Sequence, residues 1–502
     1  MSTLSFSVFT NGKPAESLDL AGAYMVGGDD VALRAELSFK SGVITCRKRA
    51  AGPAGLALLW PVGPDRKVML ETARLIESDR PYVLQIEILR GRLTRISQKL
   101  EEWGFYEAAD GGFIDRFNRV RDALIRALQA DTPAQSAAIA DEALVECIQM
   151  SEDLAVHHGQ VLLERRLAGG MGRRVLGCGV DADQADETYR RRLAAAFDFA
   201  IVPCSWRAVE PAEQKFDWKP IDAWVEWLAR KHMPIKATPL LSFAEHQLPD
   251  WIYIWEHDFE TLRDLAHAHV KRVVSRYAQY VHYWDVACGL HADNALSFTF
   301  DQLIELTRMS AALVKQVAPR ATSIVDIVAP WGEYYARNPR SIPPMLYAEM
   351  VAQSGVSVDA FGVQFQFGPD VDGMYVRDLF QVSTLLDRLG AMLSKPIHVT
   401  AVQVPSESRA APDDAWGGQH DPRAGGAWRG PWSDASQAEW AEAFMRIALS
   451  KPFVETVAWA RLADAPGHRV PFGGLLRRDQ SPKPAYDRII GLRESLSRAA
   501  RA

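Results

Sequence analysis

Apolar and polar positions change rhythm twice along this chain. Residues 1 to about 98 alternate in short runs, "LSFSVFT", "ALRAELSFKSGVITCRKRA", "GLALLWPV" and "RPYVLQIEILRG", separated by Gly and Pro. A period of two with β-branched residues predicts strands, which an antiparallel sandwich or comparable β unit would bury. Between about 112 and 167 the period lengthens: Phe113, Phe117, Val120, Leu124 and Leu128 fall at helical spacing, and "AIADEALVECIQMSEDLAVHHGQVLLERRL" continues it. Two helices joined by "DTPAQS" are expected, with Thr132 as cap and Pro133 in the first turn, and "AGGMG" ends the second.

From Arg173 onward apolar strands alternate with amphipathic helices. The strand candidates are "RVLGCGV", "FDFAIVPCSW", "PIKATPLLSF", "VHYWDVACG", "ATSIVDIVAPWG", "VDAFGVQFQFG", "PIHVTAVQV" and "VETVAWARL". Between them, "IDAWVEWLARKH" carries Ile221, Trp224, Val225 and Leu228 on one face, and Ser436 with Glu439 resembles a capping box ahead of Trp440, Phe444 and Ile447. Eight strands, nearly all followed by a helix, fit a TIM (β/α)8 barrel better than an open doubly wound sheet. No Gly-x-Gly-x-x-Gly or phosphate-loop motif follows any strand. The expected organisation is multidomain: a β-rich, sandwich-like unit at 1–98, a helical linker or hairpin at 99–170, and the barrel at 171–495.

Composition then removes whole classes of function. Fifty-seven basic against 63 acidic residues give a net charge of −6, without broad attraction to nucleic acid or an anionic membrane surface. The chain has no apolar run long enough to span a bilayer, and "MSTLSFSVFTNGKPAESLDL" lacks the order of an export signal, so a cytoplasmic protein is expected. Five scattered cysteines and 12 histidines show no metal-site or redox spacing, so neither metal nor cofactor is expected. All but two of the 15 tryptophans lie from Trp206 onward, which suits either heavy packing or sugar stacking.

Several segments carry a family resemblance. "WRAVEPAEQKFDW" (Trp206, Glu210, Pro211, Phe216), "HQLPDW", His269-Val270, "YWDV", "VDAFGVQFQ" (Asp359, Gly362, Gln364), Trp459 and "GGLLRRDQSPKPAY" stand in that order. Together they resemble glycoside hydrolase family 10, the (β/α)8 xylanase family of retaining enzymes, over about residues 173–492. The resemblance implies a carbohydrate partner and a β-linked polysaccharide or oligosaccharide as substrate.

The departures from the family pattern concentrate at the chemistry. Where the family continues Trp-Asp-Val with Val-Asn-Glu, its acid/base, this chain has Ala287, Cys288 and Gly289. The Thr-Glu-Leu-Asp carrying the nucleophile becomes Thr400, Ala401, Val402 and Gln403, and the strand 6 histidine becomes Gln366. Retaining hydrolysis needs two carboxyl groups roughly 5–5.5 Å apart, and Gly and Ala offer neither. Two readings stay open: a divergent glycosidase with relocated carboxylates, for which Glu333 and Glu407 are the candidates, or a catalytically inactive carbohydrate-binding barrel. For substrate contact, Trp206, Trp251, Trp284, Trp331 and Trp459 offer flat faces near strand ends, while Glu245, Gln247, Gln364, Gln366 and Gln403 offer polar groups. Asp326, inside the apolar "SIVDIV", must be paired or point into the barrel mouth, whereas Asp285 reads as a structural acceptor. The long segment "ESRAAPDDAWGGQHDPRAGGAWRGPWSD", with Trp416, Trp428 and Trp432, is expected to form a lid or to pack between domains.

Overall fold

A computed structural model describes residues 2–104, 111–171, 175–184 and 186–499. All eight strand candidates of the second part form strands, and they close into one parallel barrel. In order around it stand β1 (Leu176–Gly179), β2 (Phe199–Pro203), β3 (Ile235–Thr238), β4 (Val281–Cys288), β5 (Thr322–Ile327), β6 (Ala360–Gln366), β7 (Ile397–Gln403) and β8 (Val454–Trp459). Helices on the outside cover the strands, which is why most strand residues are apolar and buried.

The N-terminal part builds two four-stranded sheets. Leu4, Phe6, Ile44 and Cys46 of the first share a core with Leu56, Leu58, Val68 and Leu70 of the second. The second sheet is also covered on its other face: Tyr24, Val26, Ala57, Leu59 and Met69 pack with Tyr375 from the barrel. That double burial explains the nearly unbroken apolar run "AGLALLW" within the strand Ala54–Val62.

One segment departs from the strand expectation. In "RPYVLQIEILRG" only Tyr82–Val83 pairs as strand, and α1 (Leu84–Trp103) begins at Leu84. Leu84, Ile88, Leu89, Leu93, Ile96 and Leu100 are buried along it, a helical spacing visible only when the reading continues past Gly91. The two helices expected next are α2 (Gly111–Leu128) and α3 (Pro133–Ala168), and the Thr132 side chain caps α3 by accepting from the Gln135 amide. The long α3 packs α1 and α2 on one side and the barrel helices Leu379–Leu393 and Asp434–Ser450 on the other. The cap of Asp434–Ser450 is Ser433 with Ser436, one turn earlier than the Ser436/Glu439 box, and Glu439 instead meets Arg429.

The last part of the segment after β7 ties the two parts of the molecule together. Ala427 bridges Lys67 of the second sheet, Trp428 is buried with its indole N–H donated to Glu152 of α3, and Trp432 is buried as well. The five cysteines form no disulfide, and four are buried, as small apolar residues are. Among the described residues no helix is long and apolar enough to cross a membrane.

Candidate functional site at the barrel mouth

Two adjoining cavities open where the strands end at their C-terminal edge. One, about 220 Å³, lies over the barrel axis and is lined from all eight strand ends or the loops after them, including Thr238, Asp285, Cys288, Gly289, Asp326, Gln364, Thr400 and Ala401. The other, about 500 Å³, extends over the loops after β4, β5 and β6, past Tyr334, Arg337, Asn338 and Met374. Asp293, Val328, Gln364, Gln366 and Arg469 line both, so the two form one cleft.

The floor of the cleft is a polar cluster inside an apolar barrel. Asp326 of β5 is fully buried and accepts from Thr400 Oγ1 and from Gln364 Nε2, each at 2.6 Å, with Cys288 Sγ 3.7 Å away. Its carboxylate lies across Gly362, where a β-carbon would come within 2.3 Å of Oδ1; Gly362 is therefore needed for close approach. Asp285 of β4 pairs with Lys236 of β3 at 2.9 Å. Burial lifts the Asp285 carboxyl to about 6; Lys236 opposes the rise and the neighbouring Asp326 adds to it. Burial, then the charges of Asp326 and Asp285, push the Cys288 thiol well above its usual range, so Cys288 is no thiolate nucleophile at neutral pH.

The walls carry the remaining charge. After β1, Asp181 accepts from His468 at 2.9 Å with Arg461 at 3.6 Å; burial raises its pKa, but these partners hold it below the ordinary carboxylate value. Arg337 pairs with Asp372 at 2.7 Å. Asp293, in the loop after β4, has no hydrogen-bond or ion-pair partner for its carboxylate among the described residues, and burial raises its pKa against the opposing charge of Arg469.

The expected site residues divide by chemistry. Gln247, Asp326, Gln364, Gln366 and Gln403 come together as lining of the cleft. The tryptophans do not. Trp206 is buried and stacked on His269 at 4.7 Å, and Trp284 and Trp459 are fully buried. Trp251 donates its indole N–H to the Glu210 carbonyl, and Trp331 packs on Phe365 and Phe367 beneath Arg377. None of the five lines either cavity. Trp206, Trp284 and Trp459 are taken up by the wall of the barrel, and Trp251 and Trp331, half-buried, pack on its loops, so none of the five forms an aromatic platform in either cavity.

Glu333 and Glu407 do not meet at the mouth either. Glu333 is buried against Arg377, while Glu407 is half-exposed and pairs with its neighbour Arg409 at 2.6 Å. Glu245 is exposed beside the cleft, whereas His246 and Gln247 next to it line the cavity. Sequence reasoning missed Asp293 and Arg469. Asp293 was legible only as an acid four residues beyond Gly289 in the same loop, and Arg469 had no motif to mark it.

Comparisons with known proteins agree with this architecture. The model of Glycosyl hydrolase family 10 matches residues 167–491, nearly two thirds of the chain. Endo-1,4-beta-xylanase C of Paenibacillus barcinonensis is 24% identical over 204 residues, covering 36% of this chain and 18% of that protein. Endo-1,4-beta-xylanase 1 of Gibberella zeae is 27% identical over 81 residues, covering 16% of this chain and 22% of that protein. The matches thus span about a fifth of the length of these relatives. Among solved structures, a family 10 protein from Paenibacillus barcinonensis has a TM-score of 0.49 at 21% identity, covering 66% of this chain and 97% of that one. Native xylanase 10B from Thermotoga maritima has a TM-score of 0.47 at 18% identity, covering 68% and 99%.

Proposed function

From the premise that this chain belongs to Glycosyl hydrolase family 10, we propose that it engages a β-linked polysaccharide in the barrel-mouth cleft without the family's two-glutamate hydrolysis. The family supports a glycoside hydrolase barrel for β-linked polysaccharide, and the relatives named xylanases make a β-1,4-linked backbone the first glycan to test.

One observation carries the finer reading. Gly289 and Ala401, the positions where the resemblance puts the acid/base and the nucleophile, both line the cleft. Among the described residues no glutamate lines it beside them. Of the aspartates there, Asp285 is engaged by Lys236, Asp326 by Thr400 and Gln364, and Asp372 by Arg337, which leaves Asp293 alone. A single free carboxyl cannot both protonate a leaving oxygen and attack the opposite face of the anomeric carbon. Gln247, Gln364, Gln366 and Gln403, by contrast, supply neutral donors and acceptors that meet hydroxyls without desolvating a charge.

A second reading has one observation in its favour. Asp293, in the loop after β4, is a cleft carboxyl with no hydrogen-bond or ion-pair partner among the described residues, and burial shifts its pKa upward, the direction that suits a general acid. Paired with Asp326, it would hydrolyse by a relocated mechanism. The experiment is calorimetric titration of β-linked oligosaccharides together with a reducing-end release assay. Saturable binding with no reducing ends released is expected. Release that disappears in Asp293→Asn would replace the binding reading with the hydrolytic one, and failure to bind any β-glycan would end both.

A further inference from the structure

Charge bookkeeping around the cleft leaves one cation over. Arg337 is matched by Asp372 at 2.7 Å and also donates to the Ala23 carbonyl at 2.7 Å. Arg461 stands 3.6 Å from Asp181 and donates to the Val180 carbonyl at 2.9 Å. Behind the floor, Lys236 is matched by Asp285. Arg469 lines both cavities, and among the described residues no carboxylate pairs with it and no carbonyl accepts from it. Its guanidinium lies 5.8 Å from the centre of the Trp416 ring.

Trp416 is itself held in place. Its amide donates to Asp414 Oδ1 at 2.8 Å, its ring meets His420 edge-on at 5.4 Å, and the preceding Ala415 donates to the His468 carbonyl. The aromatic face attracts the cation without neutralising it or occupying its donors. A planar guanidinium with unused N–H groups is the group best matched to a carboxylate, which it grips through two parallel hydrogen bonds. Asp293 lines the same junction, and no hydrogen bond or ion pair ties its carboxyl to Arg469, although the charge of Arg469 opposes the rise that burial gives the Asp293 pKa.

We propose that the junction of the two cavities is a carboxylate-recognition site, in which Arg469, backed by Trp416 and facing Asp293, selects β-glycans bearing a uronic acid over their neutral counterparts. This rests on the glycan-binding reading and names the substrate class for it. A guanidinium with no ion-pair partner within a partly enclosed cleft is screened less than one on open surface, so the selection belongs to the site and not to the overall charge of −6, which repels anions.

The test is calorimetric titration with two ligands of identical β-linked backbone, one neutral and one carrying a single uronic acid, against the parent, Arg469→Gln and Arg469→Lys. The parent should bind the acidic ligand about tenfold tighter, which corresponds to about 1.4 kcal/mol. The ratio of the two affinities should fall to near one in Arg469→Gln and to an intermediate value in Arg469→Lys, which keeps the charge but loses the fork. High ionic strength should shrink the parent's ratio. Melting curves establish that the variants are folded. Equal binding of both ligands by the parent, or an undiminished ratio in Arg469→Gln, overturns this inference while leaving glycan binding intact. Absence of binding to either ligand overturns the proposed function as well.

Discussion

The carboxylate of Glu333 and the guanidinium of Arg377 lie 3.3 Å apart with both side chains sealed from solvent. Arg377 also donates to the Tyr24 hydroxyl at 3.1 Å and lies 4.4 Å above the Trp331 ring. Tyr24 belongs to the second N-terminal sheet, whereas Glu333 and Arg377 follow β5 and β6. Glu333, a candidate for a relocated catalytic carboxylate, therefore stands in a junction between the two parts of the molecule. Removing one partner of a buried ion pair strands the other charge, at a cost of about 3–5 kcal/mol. Glu333→Ala should lose that much in denaturant unfolding while the folded protein binds glycan as before. An unmoved unfolding midpoint would contradict the assignment.

The two mouth positions that carry no carboxyl group differ in what they tolerate. Gly289 has φ +66°, and a β-carbon there would meet Val328 Cγ2 at 3.1 Å, whereas Ala401 already carries a β-carbon facing the cleft. A non-glycine residue in the left-handed region costs on the order of 1–3 kcal/mol. Gly289→Glu should therefore lower the melting temperature measurably, and Ala401→Glu should change it little. Neither single variant should release reducing ends, because each supplies one carboxyl where two are needed. Release by Ala401→Glu alone would show that a working acid already stands opposite, and Asp293 would be that acid.

How far the sequence leads depends on whether local pattern or long-range partnership decides a feature. All eight barrel strands and the Thr132-capped helix were legible because periodicity and caps are local. The helix from Leu84 was misread because its first residues are β-branched and aliphatic, and its period emerges only over five turns. At the site, glutamines at strand ends were found because strand alternation fixes which side chains point inward. The tryptophans were misplaced because whether a ring faces a cleft or a neighbouring helix depends on loops distant in sequence. Asp326 was read correctly as a charge that must find partners, but Thr400 and Gln364 came from β7 and β6, which no spacing along the chain reveals.

Three deeply buried histidines make acid the weak side of this fold. Burial lowers the pKa of His158, His269 and His291 to about 3 each. In His158 the positive charges of Lys451 and Lys99 reinforce the shift. His291 shows why protonation is excluded: its Nε2 accepts from the Val328 amide at 3.3 Å, while Nδ1 meets the Tyr334 hydroxyl, which donates to the Ile342 carbonyl. A histidine whose folded pKa lies below its unfolded value of about 6.5 contributes stability that is complete above that pH and lost as pH falls toward the folded value. Each such group adds about 1.4 kcal/mol per pH unit to the slope once the unfolded chain is protonated. Unfolding free energies measured between pH 6 and pH 4 should thus fall steeply, and the slope should be about 1.4 kcal/mol per pH unit shallower in His291→Gln. An identical slope in parent and variant would exclude His291 as a buried neutral group.

The two tryptophans of the segment after β7 should separate its structural role from its role at the mouth. Trp428 is buried with its N–H on Glu152 of α3, and Arg429 beside it stands 3.5 Å from the same carboxylate. Glu152 also receives Arg66 from the second sheet at 3.0 Å, so this one side chain gathers the sheet, α3 and the strap. Burial raises the pKa of Glu152, and its cationic and indole partners oppose that rise. Trp428→Ala removes a large buried ring and one of those partners together, for which about 3–5 kcal/mol is the expected loss. Trp416, half-buried at the rim, holds no such junction, so Trp416→Ala should leave the unfolding midpoint nearly unchanged and act instead on acidic-glycan affinity through Arg469. If both substitutions destabilised the fold equally, the segment would be a uniform structural strap and Trp416 would have no separate part in the cleft.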